Sequence, residues 1–326
     1  MALAGTDADL PFAVPLGEDE ISGARRRILG AAIRTPLVAS SDGSTWLKLE
    51  CLQPTGSYKI RGAANALAAA VEAGPGPKSI VSASAGNFGQ AIALAAARLA
   101  IPCVIHVPDK AARVKVDNLR RRGAQVVEHD FDNWWRIMET RHAPGAKADE
   151  LFLHPVCERP VLAGAATIGE ELIEDLPNVE AVLIPIGGGG LACGIAQAVK
   201  RHRPRCRIIA VETETARPLE AALAARAPVT VERIPSFIDG MGSTRVLDAM
   251  WPLLRRLIDE VVIVSVAEVE EAIRGLAADH HVIAEGAGAA AFAASSKAAA
   301  GRAVAIVSGG NLDWVELRRI LGGAQG

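Results

Sequence analysis

The chain lacks an excess of either charge. Its 35 lysine and arginine residues are almost balanced by 37 aspartate and glutamate residues, which leaves a formal net charge of -2. Such a balance does not indicate a nucleic acid or an anionic membrane as a partner. Two basic runs, Arg25–Arg27 and Arg120–Arg122, fall in stretches with a helical pattern. We therefore interpret them as solvated helix faces rather than as phosphate-binding patches.

Paired cysteines, long apolar runs and a leader pattern are also missing. The five cysteines are scattered, odd in number and without a C-x-x-C pair, a usage typical of a reducing compartment with neither a disulfide framework nor a zinc site. No run of about 18 apolar residues occurs. Residues 1–15 have neither a basic start nor an apolar core, which argues against a secretory signal. We expect a soluble cytoplasmic protein that acts on a small molecule.

Short apolar runs alternate with alanine-rich helical stretches along the chain. This alternation predicts an α/β protein with mostly parallel strands in doubly wound sheets. The predicted strands are Trp46–Glu50, Ser79–Ser82, Cys103–Val107, Gln125–Glu128, Ala181–Pro185, Arg207–Val211, Val261–Ser265 and Ala303–Ser308. The predicted helices include Gly62–Ala73, Gly89–Leu99, Ala111–Arg122, Val161–Leu176 and Gly190–His202.

Loop signals divide the chain into two predicted domains. Gly74–Pro77 and Arg141–Ala148 have the composition of loops and lie at or near the ends of a compact stretch. We expect a small inserted domain at 79–157, with three strands and two or three helices. A larger, discontinuous domain would then comprise 1–78 and 158–326.

One lysine stands out by its position. Lys59 directly follows a Gly-Ser turn at the predicted start of a helix, two residues before Arg61. The positive field of the helix N-terminus and the neighbouring guanidinium favour a neutral, nucleophilic amine, which an imine with an aldehyde cofactor requires. Taken alone, the pattern fits a surface lysine near a helix start equally well.

The stretch Ser82–Gln90 runs from a buried strand into a helix through small residues. Such a loop lets a ligand approach the backbone, and the helix start offers free N–H groups to a carboxylate. The Asn87 amide could donate to a phenolate oxygen. An ordinary strand-to-helix turn capped by serine is the alternative.

Two further loops follow predicted strands. Four consecutive glycines, Gly187–Gly190, are costly in backbone entropy and predict a loop that wraps around an anion at a helix start. Their spacing also fits a dinucleotide site, which keeps an oxidoreductase open. Ser308 could donate to a ring nitrogen after the last strand, or belong to a simple final turn. Open α/β sheets bind ligands at such strand ends, and the four features together supply the polar groups that hold pyridoxal phosphate.

These motifs resemble those of the serine/threonine dehydratase and serine racemase family of fold-type II pyridoxal-phosphate enzymes. The resemblance runs from about Ile21 to Asp313 and includes His154–Pro155, Gly164–Gly169 and Glu285–Gly288. It implies an α/β fold like that of the tryptophan synthase β subunit, with two doubly wound parallel-sheet domains, and a homodimer. It implies these roles: Lys59 for the cofactor imine; Gly187, Gly188, Gly189 and Gly190 for the phosphate; Ser308 for the ring nitrogen; Ser84, Ala85, Gly86 and Asn87 for the substrate carboxylate, with Asn87 also at the cofactor O3′; and Tyr58, Phe88, Gly240 and Glu285 as second-tier candidates.

The sequence departs from the family at three places. Racemases of the family have a serine where this chain has Ala85, which argues for elimination over racemisation. Phe88 stands where histidine is common. Some relatives bind a divalent cation through an acidic pair, of which only Glu212 remains, because Pro218 occupies the second position. We therefore expect no metal unless a cation site persists at Glu212, which is otherwise an ordinary solvated residue; Arg217 could replace the cation.

The expected reaction is elimination of the β-hydroxyl from a 3-hydroxy amino acid such as L-threonine or L-serine, giving a 2-oxo acid and ammonia. The segment Ser236–Arg245 is expected to line the side-chain pocket, where Arg245 is either a carboxylate partner or a surface residue. Alternative substrates are 3-hydroxyaspartate and an intermediate of compatible-solute (hydroxyectoine) breakdown. An amino-acid racemase, a dinucleotide-dependent oxidoreductase and a non-catalytic ligand sensor are the other functions left open. No role is assigned to His106, His280 or His281.

Overall fold

A computed structural model describes residues 12, 14–298 and 301–322 of the chain. Its strands are β1 (Leu37–Ala39), β2 (Thr45–Lys48), β3 (Ser79–Ala83), β4 (Cys103–Pro108), β5 (Gln125–His129), β6 (Glu150–Phe152), β7 (Ala181–Pro185), β8 (Arg207–Thr213), β9 (Glu260–Val264) and β10 (Ala303–Ile306). Its helices are α1 (Glu18–Arg27), α2 (Lys59–Glu72), α3 (Asn87–Arg98), α4 (Arg113–Arg121), α5 (Phe131–Thr140), α6 (Arg159–Asp175), α7 (Gly190–His202), α8 (Pro218–Ala225), α9 (Trp251–Leu257), α10 (Val266–His280), α11 (Gly286–Ala293) and α12 (Trp314–Leu321).

The first compact unit, comprising Met1–Gly17, Arg34–Leu52 and Ala165–Gly326, is built on a six-stranded sheet. The strand order is β1-β2-β10-β7-β8-β9, and every pairing is parallel except that of β1 with β2. All residues of β7 and β10 are buried, which explains their continuous apolar sequences. Side chains from the sheet pack with α10 and α11 into the core of this unit.

The second compact unit, comprising Glu18–Ile33 and Gln53–Gly164, contains a four-stranded parallel sheet in the order β5-β4-β3-β6. Helices α2 and α3 pack against each other. Their buried side chains Ile60, Leu67 and Ile92 belong to the same core as Ile80 and Ile105 of the sheet. These helices form in stretches rich in alanine, because alanine has the highest helix propensity of all residues.

The bounds of the second unit differ from the small domain expected at 79–157. The unit also contains 18–33, 53–78 and 158–164. The reason is the packing of α2, because its side chains share a core with the small sheet. A Cβ on Gly62 of α2 would lie 2.9 Å from a Val161 methyl, so glycine permits close contact with the start of α6. Lys59 therefore lies in the same unit as the Ser84–Asn87 loop.

The predicted fold class, α/β with mostly parallel strands, is confirmed. The segment 79–157 holds four strands and three helices, one strand more than expected. Both basic runs lie on helices, as expected: Arg25–Arg27 form the last turn of α1, and Arg120 and Arg121 end α4. Among the described residues, no helix combines the length and apolarity needed to cross a membrane.

Candidate active site

Lys59 is the first residue of α2 and is half-buried. Its Nζ atom donates a hydrogen bond to the backbone carbonyl of Pro155, at 3.2 Å. The same Nζ atom lies 5.0 Å from the ring centroid of Tyr58 and 5.9 Å from that of the buried Phe88. The structure thus brings both aromatic candidates to the lysine and adds a carbonyl that orients the amine.

The loop Ser84–Gly86 follows β3 and leads directly into α3, whose first residue is Asn87. Gly86 occupies the N-cap position and provides no side-chain cap, which differs from a serine-capped turn. A Cβ on Gly89 would overlap the Ser84 carbonyl oxygen, so the helix packs directly onto the loop backbone. A loop held in this way can present backbone N–H groups to a carboxylate.

His154 lies directly before the proline whose carbonyl binds Lys59, and no role was predicted for it from the sequence. It is buried, and its Nδ1 atom accepts hydrogen bonds from the backbone N–H groups of Val156, at 3.1 Å, and Cys157, at 2.9 Å. Burial, together with the positive charges of Arg141 and Lys59, lowers the pKa of His154 to about 4. The motif His154–Pro155 was the available signal, but a dipeptide does not reveal which ring nitrogen accepts.

In the first unit, the glycine loop Gly187–Gly190 lies between β7 and α7. Gly189 has a φ of +88°, and a Cβ there would lie 3.0 Å from a Leu254 methyl. A Cβ on Gly187 would lie 3.0 Å from the carbonyl oxygen of Gly240, so that candidate is adjacent to the loop. A side chain at Gly187 or Gly189 would therefore crowd its neighbours, and a backbone without side chains can approach an anion closely.

Ser308 lies two residues beyond the end of β10 and is buried. Its hydroxyl donates to the Ala287 carbonyl in the first turn of α11, at 3.3 Å. The N-cap of that helix is the buried Glu285, whose backbone N–H donates to the Gly309 carbonyl at 3.0 Å. A Cβ on Gly288 would overlap the same carbonyl oxygen. Ser308 and Glu285 are thus held together by direct backbone contact.

Each unit by itself has groups that fit part of a cofactor with an aldehyde, a phosphate and a ring nitrogen. The hydroxyl of Ser57, two residues before Lys59, is fully buried and makes no hydrogen bond within the described part of the chain. Such an orphan is rare and indicates a polar group as its partner. The first unit offers a side-chain-free glycine loop and a neutral hydroxyl, while the second offers an amine. Which cofactor atom each residue holds stays a prediction.

Glu212 is buried, so its interpretation as an ordinary solvated residue was wrong. It is 1% exposed, and its carboxylate accepts the backbone N–H groups of Leu219, at 2.8 Å, and Glu220, at 2.9 Å, at the start of α8. Burial raises the pKa of this carboxyl to about 7. Arg217 pairs with Glu220 at 3.4 Å. Within residues 12, 14–298 and 301–322, no cluster of three or more His, Cys, Asp or Glu side chains could hold a metal ion.

Arg245 is at the surface, where it binds the Asp248 carboxylate at 2.9 Å and the Pro228 carbonyl at 2.7 Å. Its surface interpretation is the one that the structure supports. The five cysteines are free, as expected.

The chain belongs to the family described as pyridoxal-phosphate dependent enzymes, whose sequence model matches residues 28–309. It is 38% identical to the L-threonine ammonia-lyase of Thermotoga maritima over 93% of this chain and 77% of that protein. It is 34% identical to the catabolic L-threonine dehydratase TdcB of Escherichia coli over 96% of this chain and 97% of that protein. The structure of maize serine racemase superposes with a TM-score of 0.82, at 30% identity, over 93% of this chain and 96% of the other. The family and cofactor predicted from the motifs are confirmed.

Proposed function

We propose that this enzyme is a lyase that removes the β-hydroxyl and the amino group from L-threonine or L-serine, giving a 2-oxo acid and ammonia. The observation that carries the proposal is the Lys59 amine, held by the Pro155 carbonyl in a chain whose relatives include threonine ammonia-lyases. Family membership favours pyridoxal phosphate over a dinucleotide at the glycine loop. It therefore argues against an oxidoreductase.

When bound, pyridoxal phosphate supplies an aldehyde carbon that links to amines and a ring that spreads the charge left on the substrate Cα. Lys59 would hold the aldehyde carbon of the cofactor, and its free Nζ atom would remove the α-proton as general base. The backbone N–H groups of the Ser84–Asn87 loop would bind the substrate carboxylate, and those of Gly187–Gly190 would bind the phosphate. The neutral Ser308 hydroxyl, on turning from the Ala287 carbonyl, would donate to the ring nitrogen without protonating it, which would favour prompt loss of the protonated β-hydroxyl as water. The released enamine hydrolyses to the 2-oxo acid and ammonia.

Ala85 distinguishes elimination from racemisation. A racemase needs a second acid or base to return the proton to the opposite face, and a methyl group cannot act as one. The similarity to serine racemase does not decide the matter, because one fold hosts several reactions. A dicarboxylate substrate such as 3-hydroxyaspartate gains no support from Arg245, which is engaged by Asp248.

The test is a substrate panel with the purified enzyme carrying pyridoxal phosphate. We expect stoichiometric 2-oxo acid and ammonia from L-threonine and L-serine, and an absorbance band from the lysine-bound cofactor. Lys59→Ala should lose both the band and turnover. Lys78→Ala, which changes a lysine that is 82% exposed, is the matched control and should keep them. D-serine formed from L-serine as fast as pyruvate, or no ammonia from any 3-hydroxy amino acid, would overturn the proposal.

We further propose that the enzyme is a cytoplasmic homodimer. Five free cysteines support a reducing compartment, and the family resemblance supports the dimer. Light scattering coupled to size exclusion tests the oligomeric state, and a mass corresponding to a single 34.0 kDa chain would contradict it.

A further inference from the structure

The loop between β6 and α6 contacts the candidate catalytic amine through a single peptide group. The carbonyl of Pro155 accepts from Lys59 Nζ at 3.2 Å. The N–H of the same peptide belongs to Val156, and it donates to Nδ1 of His154 at 3.1 Å. Because a trans peptide is planar, its C=O and N–H point in opposite directions. His154 therefore fixes one end of the peptide plane whose other end holds the lysine.

His154 holds the loop through two hydrogen bonds, one from this peptide and one from the peptide that follows it. The next backbone N–H, that of Cys157, also donates to Nδ1, at 2.9 Å. A ring nitrogen can accept only when it carries no proton, so the proton of the neutral ring is on Nε2. Accepting from the N–H also polarises the peptide and makes the Pro155 carbonyl a stronger acceptor for the amine.

An ion pair also stabilises the loop between β6 and α6. Arg141 binds the Glu158 carboxylate at 2.9 Å and donates to the Cys157 carbonyl at 2.7 Å. Glu158 in turn accepts the backbone N–H of His154 at 3.3 Å. Arg141 has a φ of +58°, a left-handed conformation unusual for a residue other than glycine. This conformation ends α5, where the Arg141 backbone N–H donates to the Ile137 carbonyl.

We propose that His154 is a positioning residue that acts through the Pro155–Val156 peptide to orient the amine of Lys59. This inference rests on the proposed function, because orientation matters to a lysine that attacks the cofactor and removes the α-proton. Loss of the Nδ1 acceptor frees the peptide to rotate, and the carbonyl then leaves the amine. His154 does not touch the reacting atoms in this role.

Two substitutions separate positioning from general stability. His154→Asn places an amide oxygen near the position of Nδ1, whereas His154→Gln places it nearer to Nε2. Both side chains are polar and smaller or similar in size, so they form a matched pair. We expect His154→Gln to lower kcat by about 10- to 100-fold with little change in KM, and His154→Asn to recover most of it.

A second readout does not depend on turnover. The rate at which the cofactor-free protein captures added pyridoxal phosphate, followed by the absorbance of the lysine-bound form, reports on the Lys59 amine directly. We expect capture to slow in His154→Gln and to recover in His154→Asn. Equal rates in the two variants and the unchanged protein, at equal melting temperatures, would overturn the inference.

A third measurement needs no variant and covers the case in which both variants fail to fold. Nitrogen-15 NMR of the histidines in the unmodified enzyme should show His154 with an unprotonated Nδ1 and a protonated Nε2 between about pH 6 and 8. A protonated Nδ1 would refute the inference. If the unmodified enzyme makes no 2-oxo acid, the proposed function fails, while the capture rates and the tautomer still test His154.

Discussion

At the scale of the residue, the candidate site depends on glycines that keep backbone segments in contact. Gly89 packs on the Ser84 carbonyl, and Gly288 packs on the Gly309 carbonyl. Neither contact leaves space for a methyl group. A single added carbon at either place must therefore move a loop that we propose binds substrate or cofactor.

We expect Gly89→Ala to impair substrate binding. The new Cβ would force the Ser84 loop away by about 1 Å, and a displacement of that size can cost about 100-fold in rate. Because the loop is proposed to hold the carboxylate, KM for L-threonine should rise. Steady-state kinetics measure the effect, and Gly74→Ala, where an added Cβ meets nothing within 4 Å, is the control. An unchanged KM in a folded Gly89→Ala protein would argue against the carboxylate role.

The sequence allows site residues to be proposed only where the chemistry restricts the residue type. An imine requires an amine, which we propose is that of Lys59, and a phosphate loop free of side chains requires glycine, which we propose for Gly187–Gly190. The role of His154 was not predictable in this way. It depends on two backbone N–H groups that meet one ring nitrogen only after the loop has folded. The orphaned Ser57 hydroxyl likewise becomes visible only when burial is known.

At the scale of the element, the side chain of Glu212 connects the end of β8 to the start of α8. Glu212, near the end of β8, accepts two N–H groups of the first turn of α8 with both carboxylate oxygens. This arrangement satisfies orphan donors of the helix. It also places a titratable group where water is excluded.

The buried carboxyl predicts a pH dependence of stability. Burial raises the pKa of Glu212 from 4.5 to about 7, so the folded state binds this proton more tightly than the unfolded state does. The stabilising contribution is therefore complete below pH 4.5 and is lost as the pH rises through 7. A shift of this size corresponds to roughly 3 kcal/mol. Urea unfolding between about pH 5 and 8 measures how the free energy of unfolding changes with pH. The slope of this dependence should be flatter for Glu212→Gln than for the unmodified enzyme.

The exposed neighbour Glu214 supplies the control, since Glu214→Gln should leave that slope unchanged. The comparison concerns slopes rather than absolute values, because glutamine keeps only one acceptor for the two N–H groups. Identical slopes in Glu212→Gln and the unmodified enzyme would show that this carboxyl does not titrate in the range.

The elements that the sequence predicted best are those with the simplest surroundings. Ala181–Pro185 and Gly190–His202 match the observed strand and helix residue for residue, because a continuous apolar run ends at a glycine loop. The strands Leu37–Ala39 and Glu150–Phe152 were not predicted, since three residues are too few to show a period of two. Their pairing is decided by neighbouring strands rather than by their own sequence.

At the scale of the whole molecule, the chain passes repeatedly between two units with separate cores. Loop signals predicted a single inserted domain at 79–157, whereas α2 joins the small sheet through long-range packing. Lys59 consequently shares a unit with the Ser84–Asn87 loop, and the glycine loop shares the other with Ser308. Each unit therefore positions its own residues of the candidate site.

The cysteines report on the integrity of both cores. Burial raises the pKa of Cys51 and Cys103 to about 12, and that of Cys157 and Cys206 to about 11. The thiolate is the reactive form, and a thiol of pKa 11 is ionised to roughly one part in a thousand at pH 8. A disulfide reagent should therefore modify the native enzyme slowly.

All five thiols should react rapidly in the fully unfolded protein, where burial is lost. Cys103 and Cys157 lie in the unit that holds Lys59, whereas Cys51, Cys193 and Cys206 lie in the other. Mass spectrometry of the modified peptides at increasing urea concentrations can therefore follow each core separately. If one group of thiols becomes reactive at a lower urea concentration than the other, the two units unfold independently. Rapid modification of Cys103 in the native enzyme would contradict the packing of the Lys59 unit, because that thiol lies in the core shared by α2, α3 and the small sheet.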